Sequence, residues 1–239
     1  MKKIKKLIIL LIELVFIVLL IFSVYKIYNW YKDNKQNKQI LKDISDDIKI
    51  EKDEYIVNFE KLKQQNQDTV AWLKVNSTNI EYPVVKTNDN DYYLTHNFQK
   101  EYNLGGWVFA DYKNNFDGND KNIVIYGHNM KDSSMFGTLK NTLKPEWQND
   151  ESNFSITLIT ENSTDTYKVF STYRVKVEEY YIKTSFGTDD EYIKFLSTIK
   201  QRSNKYYNET LDNNDQILTL STCDSNNKYR VVVHAKKIN

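Results

Sequence analysis

The sequence predicts a mainly β domain, a sandwich or a closed barrel, held behind one membrane-spanning helix. Three observations carry that expectation. Residues 7–25 form an apolar run broken only by Glu13 and Ser23. From about residue 79 onward, short stretches rich in Val, Ile, Thr and Tyr recur between Asn, Asp and Gly, the mark of several short strands. One amphipathic pattern with helical period, residues 190–204, interrupts them late.

Composition bounds the rest. The 239 residues suffice for one sizeable domain and an appendage. A net charge of +1 leaves no global basic field, so no nucleic-acid partner is expected. Two prolines and six glycines stand against abundant Asn, Lys, Ile and Tyr, a compositional bias that carries no function. Triplets such as Asn76-Ser77-Thr78 follow from the same bias.

The N-terminus opens with four lysines in six residues. The apolar run that follows makes a helix of roughly 28 Å, close to the ~30 Å hydrocarbon core. A cleaved signal peptide has a shorter apolar region and a small-x-small cleavage site, and none follows here. Instead come Tyr28, Trp30 and Tyr31, which suit the membrane interface. Glu13 costs roughly 3 kcal/mol at the centre of a span, which the surrounding Leu, Ile, Val and Phe offset. Lysines before the span place residues 1–6 in the cytoplasm. The expected order is a tail (1–6), an anchor (7–26), a polar extracellular stalk (27–53) and one extracellular domain (54–239).

Ile56, Phe59, Leu62, Val70 and Leu73 fall at helix-like spacing, predicting one or two short helices at the domain entrance. The period then changes to two. NIEYPVVK, GWVFADY, NIVIYGH, FSITLIT, YKVFSTYRVKV, QILTLST and YRVVVHAK each read as a strand, giving seven or eight in all. The late helix, DDEYIKFLSTIKQRSN, starts in acids, aligns Tyr192, Phe195, Leu196 and Ile199, and ends in Lys and Arg.

No Gly-rich phosphate loop, C-x-x-C, H-E-x-x-H or EF-hand pattern is present. Three histidines and one cysteine lack metal-ligand spacing, so neither a metal nor a cofactor is expected. What remains is a thiol, a histidine and an arginine. A lone extracellular cysteine, Cys223, is an inert buried residue, an intermolecular link or a reactive thiol. It closes the strand QILTLST, and a short polar loop returns the chain to Arg230. Antiparallel neighbours joined in this way bring the two together. A guanidinium beside a thiol favours the thiolate and can stabilise an oxyanion. His128 ends another strand at YGHNM, after Gly127. Strand geometry prefers it to His234, about 13 Å along the strand from Arg230, and to His96 in a polar loop, without settling the matter.

TLSTC followed by arginine, with YGHNM 95 residues earlier, resembles the sortase family of membrane-anchored cysteine transpeptidases. NQDTVAWLKVNSTNIEYPVV, DNDYYLTHNF, GGWVFADYKN and the late helix are similar to class B of that family. The resemblance implies an eight-stranded β-barrel with N-terminal helices and a helix inserted before the cysteine strand. It implies Cys223 as nucleophile, His128 as general acid/base and Arg230 as oxyanion or substrate clamp. Ser221, Thr222, Leu94, Tyr181 and Ile182 are candidates for the substrate groove, while Tyr126, Asn129 and His234 read as scaffold. The implied partners are secreted proteins bearing a sorting motif and a peptidoglycan precursor. Two other readings stay open: a papain-like hydrolase, whose cysteine precedes its histidine, and a tethered binding module with a buried, inert thiol.

Overall fold

The computed structural model describes residues 2–45, 48–51, 54–223 and 228–238. A single helix, α1 (Lys2–Ser45), opens the chain. A small antiparallel hairpin follows, β1 (Ile48–Glu51) with β2 (Glu54–Val57). The helix α2 (Phe59–Gln65) is capped by Asn58, whose side chain accepts from the Lys61 N–H at 3.0 Å.

Eight strands then build a closed barrel: β3 (Thr69–Val75), β4 (Glu81–Val85), β5 (Phe109–Ala110), β6 (Asn122–Gly127), β7 (Ser155–Ile159), β8 (Thr164–Lys176), β9 (Ile217–Cys223) and β10 (Tyr229–Lys237). Their order is β10-β8-β7-β3-β4-β5-β6-β9, and the β9–β10 pairing closes the ring. Two pairings are parallel, β4 with β5 and β6 with β9; the other six are antiparallel. Closure removes the exposed edges through which open sheets aggregate. The short α3 (Pro145–Gln148) precedes β7, and α4 (Asp189–Gln201) lies between β8 and β9.

The eight-stranded barrel and the inserted late helix are as expected. Thr188 caps α4, accepting from the Glu191 N–H at 3.2 Å. Its apolar stripe of Tyr192, Phe195, Leu196 and Ile199 packs on Phe170, Ile217 and Val232 outside the ring. At about 1.5–3 kcal/mol for each large side chain buried, that face fixes the helix to the barrel.

Several expectations differ from the structure. Ile56 lies in strand β2, not in a helix. Val70 and Leu73 belong to strand β3, not to a helix. Most of that strand is buried, so its apolar residues do not alternate, and a short unalternating run shows no reliable period. β-branched Thr69, Val70 and Val75 and pairing on both edges decide for the strand. GWVFADY contributes only Phe109 and Ala110 to the ladder.

Within the segment read as a stalk, α1 continues unbroken to Ser45. Asn34, Asn37, Ile40 and Ile44 lie buried along one face, and both isoleucines join the main core cluster. Overall polarity hid this stripe, because only a third of a helix surface need be covered to dock it.

Candidate active site

Three adjacent strands bring the chemistry to one end of the barrel. In the parallel β6–β9 ladder, Tyr126 pairs with Ser221 and Gly127 with Thr222, so the next residues are His128 and Cys223. In the antiparallel β9–β10 ladder, Cys223 pairs directly with Arg230. His128, Cys223 and Arg230 therefore occupy matching positions on neighbouring strands. The Cys223 side chain lies outside the described residues, and its backbone places it at the end of β9.

A groove of about 400 Å³ opens at this end. Leu94, His128, Tyr181, Ile182, Ser221, Thr222 and Arg230 all line it, so every candidate with a described side chain meets there. Residues that sequence reasoning missed complete the wall: Asn90, Asp91, Phe109, Glu178 and Glu179, with Tyr126 from the expected scaffold. No local signal marked Glu178 and Glu179; Asn90, Asp91 and Phe109 lie within DNDYYLTHNF and GGWVFADYKN, but only barrel closure brings them to one wall.

The His128 ring is held by its Nε2, 2.8 Å from the Leu94 carbonyl oxygen. A carbonyl can only accept, so Nε2 carries a proton and Nδ1 is left for proton exchange. Two glycines make this approach possible. Gly106 sits at φ +56°, and a Cβ there would lie 2.4 Å from the Tyr93 oxygen and 3.0 Å from His128 Cδ2. At Gly127 a Cβ would meet the Phe136 ring at 2.7 Å. The loop beyond His128 is tied back, since the N–H groups of Met130 and Phe136 both donate to the His128 carbonyl, at 3.1 and 2.9 Å.

Around this centre the polar groups are paired. The Tyr181 hydroxyl and Ser221 Oγ are 3.0 Å apart and buried. Tyr126 donates to Asp111 Oδ2 at 2.7 Å, and Asn90 Nδ2 donates to the same oxygen at 3.0 Å. Burial, and then the Asp111 charge, push the Tyr126 phenol far above its ordinary range, so it stays a donor. Glu178 on the groove wall is ion-paired with Arg202 at the end of α4. Arg230 Nη1 donates to the Tyr229 carbonyl at 3.1 Å.

The other histidines are placed differently. His96 stacks on Tyr92 with ring centres 4.1 Å apart. His234 is fully buried, its Nε2 2.8 Å from the Tyr173 hydroxyl and its Nδ1 2.8 Å from Thr219 Oγ1. Desolvation, with Arg202 nearby, lowers its pKa to about 3, so it is neutral and satisfied at any working pH. Among the described residues, no three His, Cys, Asp or Glu side chains gather to hold a metal ion. A second cleft, at the opposite end of the barrel, contains Asp120 and Asp165. Their carboxylates serve the loop N–H groups of Asn115 and Phe116 and the Lys237 ammonium.

Residues 73–238 match the family model described as a sortase domain. Sortase B of Listeria monocytogenes is 38% identical over 182 residues, covering 74% of this chain and 72% of that protein. The chain belongs to the sortase family, in its class B. Sortase B of Staphylococcus aureus is 35% identical over 185 residues, 75% of this chain and 74% of that one. Among solved structures, a Bacillus anthracis sortase B superposes with a TM-score of 0.79 at 34% identity, covering 87% of this chain and 99% of that one. A Clostridium perfringens sortase B gives a TM-score of 0.72 at 39% identity, covering 76% and 100%. This sortase is therefore a cysteine transpeptidase, which sets aside the papain-like hydrolase and the inert binding module. Its N-terminal helix is long and apolar enough to cross a membrane, consistent with anchoring.

Proposed function

We propose that this sortase cleaves a C-terminal sorting motif of secreted proteins after threonine and joins the protein to an amine of a cell-wall peptidoglycan precursor. The Cys223 thiolate attacks the threonine carbonyl carbon, and the electron pair moves onto oxygen. His128, as imidazolium, gives its Nδ1 proton to the departing amine, leaving a thioester. The acceptor amine then attacks that thioester, His128 takes its proton, and the thiolate leaves. Arg230 donates to the developing oxyanion or to carbonyls of the motif. Leu94, Tyr181, Ile182, Ser221 and Thr222 form the motif-binding wall, with no cofactor or metal.

The observation that carries this reading is the shared register of the β6, β9 and β10 ends on one groove. A related sortase B, 33% identical with a TM-score of 0.71, has been solved complexed with triglycine, which supports a peptide amine as acceptor. We further place the N-terminus in the cytoplasm and the barrel outside, following the lysines before the span.

The test is incubation with pentapeptides of the N-P-x-T and S/P-P-x-T-G kinds, followed by mass spectrometry of the intact protein. A thioester adduct on Cys223 is expected, absent in Cys223→Ala and slowed about 10²–10⁴-fold in His128→Ala. Undiminished adduct formation in His128→Ala would overturn the assignment of the acid/base.

A further inference from the structure

Another cleft lies where α1 leaves its apolar segment and meets the barrel. Lys26, Ile27 and Trp30 of the helix face Leu104, Asn129, Met130 and Lys131 across it. Positions 26, 27 and 30 share one helix face. The walls are fixed on both sides. The Leu104 N–H donates to Asp33 Oδ2 at 3.1 Å, and Lys38 pairs with Asp132 at 2.9 Å. Lys26 and Lys131 are both exposed, and among the described residues neither makes an ion pair. Ile27 and Leu104 are exposed as well, at 65% and 55%.

We propose that this cleft binds the headgroup of an anionic phospholipid in the leaflet beneath the barrel. The inference rests on reading α1 as a membrane anchor. Lys26 is the first charged residue after the apolar run, so the cleft sits at headgroup depth. Two ammonium groups match the phosphate, Trp30 suits the interface, and Ile27, Leu104 and Met130 meet the glycerol and upper acyl region. A soluble anion would use the same lysines but leave those apolar side chains in water. The occupant touches the loop whose Met130 N–H is bonded to the His128 carbonyl, so the lipid surface and the groove meet through one loop.

The experiment uses the full chain in phosphatidylcholine nanodiscs containing a phosphatidylglycerol probe with a photoactivatable headgroup. Adducts are mapped by peptide mass spectrometry. Crosslinks are expected on residues 26–30 and 129–131, with the latter falling about fivefold in Lys131→Gln. An acyl-labelled probe should still mark residues 7–25 of that variant, reporting insertion. Equal loop labelling by a headgroup-labelled phosphatidylcholine, or no change in Lys131→Gln, would overturn the site while leaving the anchor intact. Loss of the signal to water-soluble glycerophosphoglycerol would overturn the lipid as occupant. Absence of acyl adducts in residues 7–25 of the unmodified chain would instead refute the anchor itself.

Discussion

His128 and His234 show how one residue type takes opposite roles from its surroundings. His128 is half-buried, one nitrogen fixed on the Leu94 carbonyl and the ring facing a groove. His234 has both nitrogens bonded in the barrel wall. In the unfolded chain His234 takes up a proton near pH 6.5, whereas in the fold it resists one until about pH 3. Below pH 6.5 the unfolded state therefore binds the extra proton, and stability falls as pH drops towards 3. The expected slope is about 1.4 kcal/mol per pH unit from this residue. Denaturant titrations between pH 7 and 4.5 should show a steeper loss in the unmodified chain than in His234→Gln, and parallel curves would refute the assignment. The sequence motif singled out His128, but its partner could not be read there. Leu94 lies 34 residues away, and the contact exists only because Gly106 permits the loop to pass.

Among the elements, the strands with clean boundaries were legible and the docked part of α1 was not. NIVIYG and YRVVVHAKK keep their β-rich composition across whole strands, so local pattern and tertiary structure agree. β3 was misread because neighbours on both edges, and not its own period, make it a strand. In α1 the apolar run ends at Tyr25, while burial begins only at Asn34 and continues at Asn37, Ile40 and Ile44 with a mixed polar stripe. Asn37 Nδ2 reaches Asn103 Oδ1 at 3.2 Å and the Gly106 carbonyl at 3.3 Å, contacts no local pattern announces. If these turns are part of the domain core, Ile44→Ala should destabilise the protein by about 2–4 kcal/mol. Thermal or chemical denaturation would measure it, and a change within about 0.5 kcal/mol would mean the helix is only a tether.

For the whole molecule, the apolar segment and the turns docked on the barrel belong to one unbroken helix. α1 is about 66 Å long, of which some 30 Å suffices to cross the hydrocarbon. The remaining turns are docked through Asp33, Lys38 and the buried stripe, so the groove is held at a set height and azimuth. A flexible Gly/Ser segment inserted between Tyr31 and Lys32 should leave cleavage of soluble pentapeptides within about twofold. It should lower transfer to membrane-embedded acceptors severalfold, because effective concentration depends on linker geometry. Equal loss in both assays would point to damaged folding instead. The general architecture was legible from strand count and motif order, whereas this rigid coupling needed the three-dimensional packing.

The strand order has one more consequence, for timing. His128 stands at the end of β6, but the strands that bring Cys223 and Arg230 beside it follow every other strand in the chain. A chain emerging N-terminus first carries His128 without Cys223 and Arg230 beside it until β9 slots in parallel beside β6 and β10 seals the ring. On the roles proposed for His128 and Cys223, assembly of the centre is tied to completion of the fold: a truncated or half-emerged molecule lacks the β9–β10 register that sets the two side by side, and acyl transfer waits for the whole barrel.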